Sequence, residues 1–138
     1  MDINTAFSSA LNNAQPSPPS AISHYGSSRT SDRVLQILLQ GDLARLRAES
    51  VAEELGMSGT TLRRRLRANH THYQFLLDRA RQYRCEQILQ SNWLPGKCLA
   101  DELGYLEVNS FYRAFRRWTG ISYSEYKLRW EQNSVQRH

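Results

Sequence analysis

The sequence predicts an all-α protein of seven helices: two helix-turn-helix subdomains in one bundle, joined by a long linker helix. Three observations carry that prediction. No stretch of the 138 residues alternates apolar and polar side chains with a period of two, as a half-buried strand would. Residues 100–126, ADELGYLEVNSFYRAFRRWTGISYSEY, run from a short helical segment through a turn at Gly104 into a second helix. That helix carries Phe111, Phe115 and Trp118 on one side and Arg113, Arg116 and Arg117 mostly on the rest. The same arrangement recurs upstream at residues 52–67, AEELGMSGTTLRRRLR. Ala52, Leu55 and Gly56 match Ala100, Leu103 and Gly104 at an offset of 48, while Leu62, Arg64, Leu66 and Arg67 match Phe111, Arg113, Phe115 and Arg116 at 49. The second turn is therefore one residue longer than the first.

Taken in order, residues 1–31 are rich in Ser, Asn, Ala and Pro, with Asp2 and Arg29 as the only formal charges. Such a stretch buries too little apolar surface to offset its ordering and reads as a disordered tail. Within it, Phe7, Leu11 and Ile22 are candidates for a transient docking segment. Ser31 and Asp32 are expected to cap a first helix carrying Val34, Leu35, Leu38 and Leu39, with Gly41 ending it. Leu43 and Leu46 are expected to cover the core edge. Ser50 is placed as the cap of the second helix, with Glu53 at capping-box spacing. Ser58 is placed as the cap of the third, which runs to about Ala68. The first helix-turn-helix thus covers about residues 50–68.

A fourth, linker helix is expected from about Tyr73 to Gln90, with Phe75, Leu76, Ala80, Tyr83 and Ile88 as its apolar positions. About 18 residues span roughly 27 Å, a length suited to holding two recognition helices at neighbouring turns of a duplex. Pro95 marks its end. A fifth helix (about 97–103), a sixth (about 108–118) and a seventh (about 122–131) complete a domain over residues 32–131, with the second helix-turn-helix at about 97–118 and residues 132–138 as a frayed tail.

From Val34 to Trp130, 97 of the 138 residues, the chain resembles the DNA-binding domain of AraC/XylS transcription regulators. The motifs are A-x-x-x-G-Y, then F-x-R-A-F-R-R-W-T-G, then Y-K in the second unit, and L-G-M-S-x-x-x-L-R-R-x-L in the first. Arg81 with Ile88-Leu89 resembles the family's linker-helix pattern R-x-x-x-A-x-x-L-L. Two positions depart from it. Tyr123 follows Gly120-Ile121-Ser122 where the family usually has proline, and Gly96 opens the fifth helix where it usually has an aliphatic residue.

The resemblance implies a sequence-specific regulator whose third and sixth helices enter successive major grooves of double-stranded promoter DNA, with RNA polymerase as a further partner. It also implies action in the cytoplasm, at the nucleoid, as an activator or a repressor. A helix in the major groove reads bases from its early residues and meets phosphates with later ones. Thr60, Arg63 and Arg64 are accordingly base-reading candidates in the first unit, and Val108, Asn109, Tyr112 and Arg113 in the second. Arginine pairs with guanine O6 and N7, asparagine with adenine, and valine packs on a thymine methyl. Ser58, Arg65, Arg67, Ser110, Arg116 and Arg117 are the phosphate candidates. Tyr112 can equally be half buried. The alternative for the first unit, a merely solvated basic face, fits poorly with four arginines in five positions directly after a helix-turn-helix turn.

Composition agrees with an acidic polymer as partner. Lys+Arg is 18 against Asp+Glu 13, a net charge of +5 and a pI near 9.6. Between Arg63 and Arg84 there are seven arginines and one acid, Asp78. No apolar run reaches the ~20 residues of a membrane span, and the N-terminus lacks the features of a secretory signal. Cys85 and Cys98 have no metal-like spacing and fit a reducing compartment, with Cys85 read as a buried small apolar group. His70 and His72 have no partner ligand at suitable spacing, so neither metal nor cofactor is expected. Trp93, Trp118 and Trp130 are read as packing residues.

No nucleophile–base set, paired carboxylates or phosphate-cradling glycine loop points to catalysis. Two non-enzymatic alternatives are a non-specific architectural or RNA-binding helical module, and a protein-interaction domain that modulates a related regulator. The 31-residue upstream segment is too short for the effector or dimerisation domain that most relatives carry, so the chain is either a lone DNA-binding domain or a piece of a longer regulator. Monomeric binding is compatible with two units in one chain.

Overall fold

A computed structural model describes residues 29–136. Among these there are seven helices and no strands: α1 (Thr30–Gln40), α2 (Ala48–Glu54), α3 (Gly59–Ala68), α4 (Tyr73–Ser91), α5 (Gly96–Glu102), α6 (Val108–Thr119) and α7 (Tyr123–Gln136). Most of the expected N-terminal tail, including Phe7, Leu11 and Ile22, lies outside the described residues. The chain divides into two compact units, with the boundary in the sequence of α4, between Tyr83 and Arg84.

The first unit has an aliphatic core. Val34, Leu35 and Leu38 of α1, Leu43 of the connection, Val51 and Ala52 of α2, Leu62 and Leu66 of α3, and Leu76, Leu77 and Ala80 of α4 are buried. The second has an aromatic one, in which Phe111, Phe115, Trp118, Tyr123 and Tyr126 join Leu89, Leu99 and Leu103. The pairs matched at an offset of 49, Leu62 with Phe111 and Leu66 with Phe115, occupy the same place in each unit.

Both turns close in the same way. Gly56 (φ +74°) and Gly104 (φ +83°) adopt the left-handed conformation that costs other residues about 1–2 kcal/mol. Their N–H groups donate to Glu53 and Asp101 oxygens, and the next residues, Met57 and Tyr105, donate to Ala52 and Ala100, each at 2.9 Å. That pair of bonds satisfies carbonyls the helix end would leave orphaned.

The end of α3 repeats the motif with a different residue. His70 donates to Arg67 and Thr71 to Leu66, and His70 holds φ +62°. Because a side chain is strained there, His70→Gly is expected to raise stability by about 0.5–1 kcal/mol after the extra freedom of glycine in the unfolded chain is subtracted. The urea midpoint measures this; a lower midpoint would assign the imidazole a stabilising contact.

Several helix starts differ from expectation. The first helix begins at Thr30 rather than after Ser31 or Asp32, and its cap comes from elsewhere: the Ser31 N–H donates to Asn69 Oδ1 at 3.1 Å. Ser50 does not precede α2 but lies in its first turn, where its hydroxyl accepts from the Arg47 N–H (2.9 Å) and donates to the Arg47 oxygen (2.8 Å). At the other end, α7 continues to Gln136, beyond the expected stop at Glu131.

In α4 the expected apolar face is only partly correct. Phe75 and Tyr83 are 43% and 39% exposed, whereas Gln82, Cys85, Glu86 and Leu89 are buried. At about 100° per residue, Leu76, Leu77 and Ala80 share one side of the helix, and Cys85, Glu86 and Leu89 share another. The buried side changes part-way along, so no single stripe runs the length of the helix. Burial raises the Cys85 thiol pKa far above its usual range, with the neighbouring Glu86 charge adding to the effect, so this thiol is unreactive. Cys98 is exposed.

Candidate nucleic-acid interface

The basic helix α3 is started by Ser58. Its Oγ accepts from the Thr61 N–H at 3.1 Å and donates to Thr61 Oγ1 at 3.0 Å. The hydroxyl assigned to a phosphate is thus occupied by the cap. With Leu62 and Leu66 buried, about 100° per residue sets Thr60, Arg64 and Arg67 as a stripe directly opposite the core, and all three are exposed. Arg63 flanks this stripe. Its guanidinium reaches back over the helix start, where a Cβ on Gly59 would lie 3.6 Å from Nη1, as helical side chains lean toward the N-terminus. Arg65 is exposed on the other flank, at the position where the second unit has the buried Ala114.

The second unit repeats the stripe. Phe111, Ala114, Phe115 and Trp118 bury one side of α6, and Asn109, Arg113 and Arg116 stand opposite, each exposed. They are the residues 49 positions after Thr60, Arg64 and Arg67. Arg113 Nη2 donates to Ser110 Oγ at 3.3 Å, which steadies the guanidinium within the helix. Val108 and Ser110 are half-buried at the helix start, and Arg117 is exposed beside the stripe.

Tyr112, named above as a base reader, lies differently. Its ring stacks on Tyr123 (centroids 6.0 Å, 27° between planes) and tilts against Phe111 at 5.8 Å. It also covers Gly96: a Cβ there would stand 2.5 Å from ring carbon Cε1 and 2.7 Å from Cζ. Only 39% of the residue remains exposed. The two departures from the family pattern, Gly96 and Tyr123, are therefore both neighbours of one ring. Tyr123 in turn stacks on Trp93 and Tyr126, meets Phe115 edge-on at 5.0 Å, and donates its hydroxyl to the Leu94 oxygen. Burial raises its pKa far beyond the ordinary range.

This contact predicts a compensating pair. Gly96→Val is expected to destabilise the second unit by about 1–3 kcal/mol, because the tyrosine ring must be displaced from a filled site. Tyr112→Ala should lower that cost when added to it. Thermal melts of both single variants and the double variant measure the coupling, and additive effects would show that ring and glycine are independent.

Among the described residues no group of three His, Cys, Asp or Glu side chains is placed to hold a metal, and no helix is long and apolar enough to cross a membrane. What the geometry offers is two equivalent cationic stripes, each beginning directly after the same glycine-closed turn.

Comparison with known proteins decides the family. A family model described as a helix-turn-helix domain matches residues 51–129, more than half of the chain. The chain belongs to the AraC-type helix-turn-helix family. Relatives of this AraC-type chain include the ornithine utilization regulator of Pseudomonas aeruginosa, 41% identical over 97 residues, which cover 69% of this chain and 28% of that protein. The transcriptional regulator VqsM of the same species is 40% identical over 78 residues, covering 56% and 24%. The AraC-type chain thus spans about a quarter of the length of these curated relatives. A crystal structure of a DNA-binding transcriptional dual regulator from Escherichia coli K-12 superposes with a TM-score of 0.69 at 28% identity, covering 80% of this chain and 99% of that one.

Sequence reasoning named every residue of both stripes but grouped them with their flanks. A wheel centred on Leu62 and Phe111 separates them from Arg65 and Tyr112. It missed the role of Gly96, whose only signal was its departure from the family pattern.

Proposed function

We infer that this chain is a sequence-specific double-stranded DNA-binding transcription regulator that reads two major-groove segments, one with α3 and one with α6. The observation that supports this most is the repeated stripe: Thr60, Arg64 and Arg67 in one helix, Asn109, Arg113 and Arg116 in the other, each backed by a buried pair and preceded by a left-handed glycine. Thr60, Arg64, Asn109 and Arg113 take the base edges, with Arg63 and Val108 beside them. Arg67 and Arg116, a turn further on, take phosphates, with Arg65 and Arg117 on the flanks. Most of the affinity comes from arginine–phosphate contacts and counterion release, and specificity from the early stripe residues. Tyr112 acts chiefly by filling the space over Gly96.

A chain carrying both reading helices is suited to bind as a monomer at the nucleoid. RNA polymerase is the partner through which such a regulator would act as an activator. The relatives support the reading because their names describe regulators, VqsM a transcriptional one. Selection of bound sequences from random duplex DNA tests it. The expected product is a site of roughly 15–20 base pairs with two preferred blocks about one helical turn apart. Equal retention of all sequences would favour a non-specific architectural module, and preference for RNA duplexes or loops would overturn the reading.

A further inference from the structure

Leu106 is 96% exposed, the most exposed of the large apolar side chains among the described residues. It occupies the turn directly before α6, where the second unit is one residue longer than the first. After the paired glycines and the paired donors Met57 and Tyr105, the first unit passes straight to its cap, Ser58. The second interposes Leu106 before Glu107, the residue preceding α6. The extra residue is held from both sides. The Tyr105 N–H donates to Ala100 and its ring lies 6.0 Å from Phe111, while the Glu107 oxygen accepts from the Ser110 N–H at 3.1 Å. A leucine presented on a pinned backbone has little freedom to lose on contact, and its exposure leaves it no part in the core.

The surroundings indicate what covers it. Asn109, Arg113 and Arg116 follow on the outward side of α6, and α6 itself contains no acidic residue, which suits a polyanion. Neither Leu106 nor Glu107 suits a phosphate, yet both suit base edges: glutamate accepts from a cytosine amino group, and an apolar side chain packs on the thymine C5-methyl. We propose that Leu106 is a specificity-determining residue that reads a thymine methyl at the edge of the segment met by α6. The proposal rests on the DNA-reading function inferred above.

The test uses the full chain and a duplex that it selects from random sequence, with each thymine replaced in turn by deoxyuridine, which lacks the methyl. At one position in the α6 block the substitution is expected to weaken binding by the unaltered protein about three- to tenfold, the worth of one or two buried methyl-sized groups. Leu106→Ala should bind the thymine duplex with that same loss, respond no further to deoxyuridine there, and keep its melting temperature and salt slope. Leu106→Met should restore the difference. Persistent deoxyuridine sensitivity in Leu106→Ala would assign the methyl to another residue, such as Val108, and overturn the proposal alone. An equal loss on selected and scrambled duplexes would make Leu106 a backbone contact. Unchanged binding everywhere would make it a surface for a protein, and either result overturns the proposal. Failure of the unaltered chain to select any sequence would overturn the DNA-reading function itself.

Discussion

Phe115→Ala is expected to unfold the second unit, with a loss of about 3–5 kcal/mol. Phe115 is fully buried, with ring centroids 5.0 Å from Tyr123, 5.3 Å from Tyr126 and 5.9 Å from Phe111. Truncation leaves a cavity at the point where α6 and α7 meet, and three rings lose an edge-on or tilted partner at once. In a small domain whose total stability is about 5–15 kcal/mol, a loss of that size is a large share. Tryptophan emission reports it selectively, because Trp93, Trp118 and Trp130 all lie in the second unit. The matching change in the first unit, Leu66→Ala, is expected to cost about 2–5 kcal/mol, read from amide exchange in α2 and α3. An unaltered tryptophan transition in Phe115→Ala would contradict the burial of this ring.

The largest expected effect on recognition separates Arg64 from Arg67. Both stand on the outward stripe of α3, opposite Leu62 and Leu66, but Arg64 is nearly one turn closer to the Ser58 cap. Arg64→Ala is expected to cost about 1–3 kcal/mol at the selected site and to relax preference at one or two base positions. Arg67→Ala should weaken selected and scrambled duplexes alike and reduce the magnitude of the salt slope by about 1. In the second unit, Asn109→Ala and Arg116→Ala form the corresponding pair, with a smaller effect on specificity. Binding curves at several salt concentrations are sufficient. Equal losses on both duplexes for Arg64→Ala would turn the reading face of α3 toward Arg63.

The matched stripes matter for how such a protein diverges. The two stripe-bearing helices share one geometry and differ in what they display, Thr60 against Asn109 and Arg63 against Tyr112. Their cores differ as well, aliphatic in one unit and aromatic in the other. Core residues and stripe residues can change independently, because they occupy opposite sides of the same helix.

The sequence by itself determined whatever is local or repeated: the all-α class, the two glycine-closed turns, the Ser58 cap and the apolar and basic sides of the third and sixth helices. Each depends on residues within about two helical turns of one another, and each shows twice or follows a known cap or period. Tertiary structure decided what depends on partners distant in the chain. The Ser31 N–H finds its acceptor at Asn69, 38 residues away. A Cβ at Gly96 would collide with the Tyr112 ring, and that ring stacks on Tyr123, so a residue that reads as a base-contact candidate by position also packs on neighbours that its own helix does not supply. The two buried sides of α4 average to no single apolar stripe, which is why Phe75 and Tyr83 read as core from sequence and are exposed in the fold. Periodicity reports burial only where one helix faces one core along its whole length.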